Sequence, residues 1–189
     1  MRQPVKFAPF VIAIAVVAQT TPLKAPFQLE PAFVPSGWMG DGKQGTKYLS
    51  LNSIFRGHAR PQDTDGLCIR LQYYRGPEGW AAIYWQYPDG NWGEQAGRRI
   101  TGATRVSFWA SGETGREVVE FKAGGIRGKY RDTFEVSLGR ITLSQQWKAY
   151  TIDLKGADTS SVIGAFCVVL VSDPLSPKAI IYLDDIRYE

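Results

Sequence analysis

From residue 47 onward, short runs rich in β-branched and aromatic residues recur between Gly, Pro, Asp and Ser turns, and no segment holds a long helical period. The runs are "KYLSLNSIF" (47–55), "GLCIRLQYY" (66–74), "AAIYWQY" (81–87), "ATRVSFWAS" (103–111), "EVVEFKAGG" (117–125), "DTFEVSLGRITL" (132–143), "KAYTIDL" (148–154), "GAFCVVLVS" (164–172) and "AIIYLDDIRYE" (179–189). In the second, Leu67, Ile69, Leu71 and Tyr73 alternate with Cys68, Arg70, Gln72 and Tyr74. The stretch "GADTSSVIG" (156–164) has room for one short helical turn. Many short strands at this spacing predict an all-β, antiparallel sandwich.

The last run says more. Ile180, Tyr182, Asp184 and Ile186 share one face of a strand, and Ile181, Leu183 and Asp185 share the other. Both faces are apolar in the middle, so the strand is expected to be central and buried. Asp184 or Asp185 then lies near the core edge, where a carboxylate needs a partner or a cation.

The start of the chain reads as an export signal. "MRQPVK" is basic, "FAPFVIAIAVVA" is apolar, and cleavage is expected after Ala18. The apolar run is shorter than the ~20 residues a membrane-spanning helix needs, so no span is expected once residues 1–18 are removed. This implies a secreted or periplasmic protein, with placement at the cell surface also open. Without Arg2 and Lys6, 20 Lys and Arg stand against 18 Asp and Glu, a net charge of +2. That is no footprint for nucleic acid. Residues 19–36 hold four prolines and read as an extended leader into one domain, 37–189. Cys68 and Cys167 both fall in strand-like runs, which leaves a disulfide and two buried thiols equally open.

The stretch "GWAAIYWQYPDGNWGEQ" (79–95) is dense in rings. As a strand, 81–87 points Ala81, Ile83, Trp85 and Tyr87 toward the core and Ala82, Tyr84 and Gln86 outward. Sugar rings stack their C–H faces on aromatic planes, and their hydroxyls seek amides, carboxylates and guanidinium groups. Tyr84, Trp92 and Trp80, with Gln86, Asn91, Glu94 and Arg98, offer that mixture. Lys122, beside the Gly-Gly turn of "EFKAGGIRGKY" (120–130), is a further candidate for a sugar cleft. Trp38, Trp109 and Trp147 are assigned to packing, and His58, alone in a polar loop, to solvent.

The closing "IIYLDDIRYE", the preceding "QQWKAYTIDL" (145–154) and the middle run "ATRVSFWAS" resemble β-jelly-roll carbohydrate-binding modules of the galactose-binding-like kind. The resemblance covers roughly residues 37–189. It implies an extracellular, non-catalytic jelly roll of two antiparallel sheets whose partner is a polysaccharide or other glycan. Many such modules hold a structural Ca²⁺. The matching positions here are Asp184 and Asp41, and oxygen ligands from separate segments suit that cation.

Catalytic signatures are scarce. A single histidine excludes a His-rich metal site, and there is no nucleophile elbow or phosphate loop. The expectation is therefore a carbohydrate-binding protein rather than an enzyme. A structural subunit of an extracellular assembly, with the leader adding a strand to a neighbour's sheet, is the first alternative. A carbohydrate-active enzyme with two distant carboxylates is the second.

Overall fold

The computed structural model describes residues 21–63 and 65–189. The expected signal segment, 1–18, lies outside them. Thirteen strands follow the chain order among the described residues. They are β1 Leu23–Lys24, β2 Phe27–Gln28, β3 Val34–Gly40, β4 Leu49–Phe55, β5 Cys68–Tyr74, β6 Trp80–Gln86, β7 Ile100–Thr101, β8 Arg105–Gly112, β9 Val118–Gly124, β10 Glu135–Thr142, β11 Lys148–Asp153, β12 Gly164–Val171 and β13 Lys178–Tyr188. A five-stranded antiparallel sheet has the order β10-β9-β12-β6-β3. A six-stranded antiparallel sheet has the order β11-β8-β13-β5-β4, with β2 added against the end of β13.

The two sheets close on a core of alternate residues. Ala81, Ile83 and Trp85 of β6 face Leu71 and Tyr73 of β5 and Ile181 and Leu183 of β13 across it. The rings of Phe108, Phe121 and Phe166 meet at its centre, with centroid separations of 4.6 Å for Phe108–Phe121 and 5.0 Å for Phe108–Phe166. Such pairs add about 0.5–1.5 kcal/mol each beyond the area they bury. The expected division of 81–87 into faces therefore holds. So does the central position of the last strand: β13 lies between β8 and β5 and is apolar on both sides.

Three expectations change. First, β3 was not legible as a strand, because "VPSGWMG" carries a proline and two glycines. It is an edge strand, where a missing donor does no harm. Second, the described part of the leader is no linker. β1 pairs with β7, β2 pairs with Arg187 and Tyr188 of β13, and Leu29 and Phe33 are core residues. The segment expected to reach a neighbour's sheet edge is thus engaged in its own chain. Third, no helix forms over 156–164; Val162 instead bridges to Arg98. Among the described residues, no helix is long and apolar enough to cross a membrane.

Near its end β13 carries a bulge between Asp184 and Arg187, with Asp185 at φ 53°. An aspartate tolerates this left-handed backbone better than most residues. The bulge turns Arg187 and Tyr188 toward β2, and Gln28 holds Asp185 by an amide hydrogen bond of 2.8 Å.

Candidate functional site

The outer face of the five-stranded sheet is laid out in rows by the strand register. One row runs Gly37, Tyr84, Cys167, Lys122, Ser137. The next runs Met39, Ala82, Val169, Glu120, Arg140. Below it, Trp80 stands beside Val171 and Val118. The middle row is low and apolar at Met39, Ala82 and Val169, flanked by charged residues on β9 and β10. A cleft of about 380 Å³ occupies the Trp80 end, lined by Arg75, Glu78, Trp80, Glu120, Arg140 and Val169 among others.

The far end of this face is covered. Loop 88–97 and loop 124–133 fold over the sheet and lock together: Tyr130 donates its backbone N–H to the Gly93 carbonyl at 2.8 Å. Asn91 organises the first loop, its Oδ1 accepting the N–H groups of Gly93, Glu94 and Gln95 at 3.0, 3.0 and 3.1 Å. Asp132 organises the second by accepting the N–H groups of Ile126, Ile163 and Gly164. Burial pushes the Asp132 carboxyl up to about 6, against the downward pull of those amides.

This cover changes the expected site. Tyr84 does point outward, but it is only 5% exposed and its hydroxyl donates to the Gly124 carbonyl at 3.1 Å. Gly164 leaves room for its ring: a Cβ there would come within 2.7 Å of the ring carbons. Gln86 is fully buried, donating to the Asn91 carbonyl at 2.8 Å and accepting from the Ser36 hydroxyl at 2.9 Å. Asn91 is buried as well. These three support the loops rather than present themselves to a ligand. Alternation finds a face, but it does not report that a loop covers it.

Of the remaining candidates, Trp92 is exposed (40%) and meets Tyr84 edge-on. Trp80 is half-buried at the opposite end of the same face, four residues from Tyr84 along β6, about 13 Å at the usual rise per strand residue. Lys122 lies level with Tyr84, two strands away on β9, paired with Glu135 at 2.7 Å. Glu94 is exposed on the Trp92 loop. Arg98 does not join them. Its guanidinium sits 3.9 Å from the ring centre of Tyr87, beside Leu23, Phe27 and Pro31 at the sandwich edge. Met39, Val169, Arg140, Arg75 and Glu78 complete the groove and were missed. Their strands or loops reach it only through long-range pairing.

Asp41 and Asp184 do not meet. Asp41 lies beside the turn after β5 and accepts the Tyr73 hydroxyl at 2.6 Å and the N–H groups of Gly76 and Glu78 at 3.0 Å each. Burial acts to raise its pKa, but these donors outweigh it and hold the carboxyl below the usual range. Asp184 pairs with Arg60 at 2.9 Å, beyond the other end of β5, where β13 runs past Ile69. Asp41 is surrounded by N–H and O–H donors, and Asp184 is paired with a guanidinium. The residues therefore do not fit a Ca²⁺ ion shared between these two positions. Nor does any group of three or more His, Cys, Asp or Glu side chains suited to a metal occur among the described residues.

The cysteines are free and buried. Cys68 packs with Ile180 and Tyr182 on the outer face of the six-stranded sheet, and Cys167 with Ala82 and Tyr84 on the outer face of the other. Two sheets and the core separate them, far beyond bridging distance.

No protein-family model matches the sequence, and no curated protein sequence matches it. Solved structures do. One is the family 11 carbohydrate-binding module of the cellulosomal cellulase Lic26A-Cel5E of Clostridium thermocellum, with a TM-score of 0.50 at 13% identity over 86% of this chain and 92% of that one. Another comes from a study of promiscuous specificity among carbohydrate-binding modules of the β-sandwich superfamily. Its TM-score is 0.52 at 12% identity, over 90% of this chain and 64% of that one. The chain has the all-β, jelly-roll sandwich fold of carbohydrate-binding modules.

Proposed function

We propose that this is an exported, non-catalytic carbohydrate-binding module that holds a glycan along the outer face of its five-stranded sheet. The observation that carries the reading is a pair of indoles on one sheet face: half-buried Trp80 in the cleft at one end, and exposed Trp92 on the loop at the other. Trp92 stands over the Tyr84 row, Trp80 closes the other end, and the floor between them is the low apolar strip of Met39, Ala82 and Val169. Sugar rings offer apolar faces to such a strip and hydroxyls to its borders. Glu120, Lys122 and Arg140 border it on one side. Two relatives in fold being carbohydrate-binding modules supports the same reading. The basic-then-apolar start of the sequence supports export.

Binding without cleavage fits the two carboxyls at this end of the face. Glu135 is hydrogen-bonded by Lys122 and Arg127, which hold its carboxyl below the usual range, the opposite of the shift a general acid needs. Asp132, whose carboxyl is raised, is buried and accepts the backbone N–H groups of Ile126, Ile163 and Gly164, which gives it a structural task.

The test is retention of the protein on a panel of soluble and insoluble polysaccharides, beside Trp92→Ala and Trp80→Ala. Retention that either variant weakens about tenfold or more, with its melting temperature unchanged, supports the groove. Retention that neither substitution alters would place binding elsewhere, and no retention of the wild type would remove the groove as a glycan site.

A further inference from the structure

The outer face of the six-stranded sheet carries a second set of rings, and the loop after β4 lies over them. Tyr182 of β13 and Trp109 of β8 are diagonal neighbours, Tyr182 pairing with Ser111 and Asp184 with Trp109. Trp147 flanks Tyr182 with centroids 6.5 Å apart. Residues 56–63 form a strap across this trio. His58 stacks on Tyr182 with centroids 4.0 Å apart and planes at 23°. Arg60 places its guanidinium 5.1 Å from the centre of the Trp109 ring. His58 was expected in solvent and Trp109 and Trp147 in simple packing; instead they make one layered arrangement.

We propose that this face is a second carbohydrate-binding platform, closed in the structure by strap 56–63, with Trp109, Tyr182 and Trp147 as the stacking rings. The proposal rests on the reading of the chain as a glycan binder. Two planar side chains of the strap lie on the ring faces that a saccharide would use. Groups suited to hydroxyls surround those faces: Ser111, Glu113 and Asp184 now serve His58, Tyr182 and Arg60 at 3.0, 2.5 and 2.9 Å. The indole Nε1 of Trp147 is buried with no hydrogen-bond partner among the described residues. A buried donor left unpaired is unfavourable, so the closed strap leaves this donor unsatisfied, and a sugar hydroxyl would supply the missing acceptor. The strap is held by the His58 ring's contacts with Tyr182 and Trp147, the His58–Ser111 hydrogen bond, the Arg60 contacts with Asp184 and Trp109, and a weak Cys68 thiol contact to the His58 carbonyl at 3.5 Å.

The experiment uses affinity electrophoresis in gels containing mixed-linkage β-glucan, β-1,4-galactan or xylan. Four proteins are compared: the wild type, Trp92→Ala, Trp92→Ala with His58→Ala and Arg60→Ala, and that triple variant with Trp109→Ala added. Circular dichroism establishes that each is folded. The expected result is weakened retention in Trp92→Ala, recovery of about tenfold or more when the strap contacts are removed, and loss again with Trp109→Ala. Hydrogen exchange of wild-type residues 56–63 should quicken at saturating polysaccharide, a readout that does not depend on the variants folding well. Wild-type retention with no recovery in the triple variant and no change in exchange overturns the second platform and leaves the groove reading intact. Recovery that survives Trp109→Ala overturns it also. Retention by the triple variant alone upholds the platform and removes the groove. No retention by any of the four removes both.

Discussion

The indole of Trp92 meets the ring of Tyr84 edge-on, centroids 6.1 Å apart and planes at 85°. Only the upper member of this pair faces solvent, which separates two roles that the sequence cannot distinguish. Trp92→Ala is expected to weaken polysaccharide retention about tenfold or more while shifting stability by less than about 0.5 kcal/mol, as surface substitutions usually do. Tyr84→Ala removes a buried ring and its hydrogen bond, so it is expected to cost about 3–5 kcal/mol. Chemical denaturation beside affinity electrophoresis checks both; a Tyr84→Ala protein of wild-type stability would contradict the buried placement.

Asp41 is expected to act through its donors and not through a cation. Asp41→Ala leaves the N–H groups of Gly76 and Glu78 and the Tyr73 hydroxyl without their acceptor. At about 1–3 kcal/mol for each unsatisfied buried group, a loss of about 3 kcal/mol is expected. The wild-type melting curve in EDTA should superimpose on the curve in added Ca²⁺. A calcium-dependent rise of several degrees would contradict this and restore a cation to the fold.

The leader is expected to be required for stability. Phe33 is fully buried in the core, and the Trp85 indole donates to the Glu30 carboxylate at 2.7 Å. Phe33→Ala should destabilise by about 3–5 kcal/mol, measured by urea denaturation. A chain starting at residue 37 that melted like the wild type would restore the view of 19–36 as a linker.

His58 should make the strap respond to pH. Burial against Tyr182 and Trp147 lowers its pKa, and the carboxylate of Glu113 partly opposes that shift. Arg60 and Asp184 form the other charged pair beside it, and Cys68 and Ser111 contact it as neutral groups. The closed strap therefore favours the neutral ring. Its advantage is complete above the unperturbed pKa of about 6.5 and shrinks as pH falls below that value, because the open state takes up the proton more readily. Hydrogen exchange of residues 56–63, corrected for intrinsic rates, should be faster at pH 5.5 than at pH 7.5. His58→Gln should abolish the difference.

Much of the sandwich was legible because strand signals are local. Alternation in 81–87 assigned Trp85 to the core and Tyr84 to the outer face, and the apolar centre of "IIYLDDIRY" marked β13 as a middle strand. What was not legible depends on partners distant in sequence. Gln86 reads as an outward amide until Ser36 and Asn91 are brought to it. Arg98 is six residues from Trp92, yet the leader and Tyr87 claim it. His58 reads as a solvated loop residue until β13 places Tyr182 beneath it. Asp41 and Asp184 each asked for a partner, and the sequence could not say that amides, a phenol and a guanidinium would answer.

The position of β13 also bears on how the protein is made. The strand between β8 and β5 spans residues 178–188, after every other strand of its sheet in chain order. During synthesis β5 and β8 emerge with the edges they will share with it still bare, and the six-stranded sheet has no centre until residue 188 has left the ribosome. Such late, long-range closure is slow and leaves strand edges open to other chains. A chain interrupted before this strand would therefore lose the middle of a sheet rather than its margin.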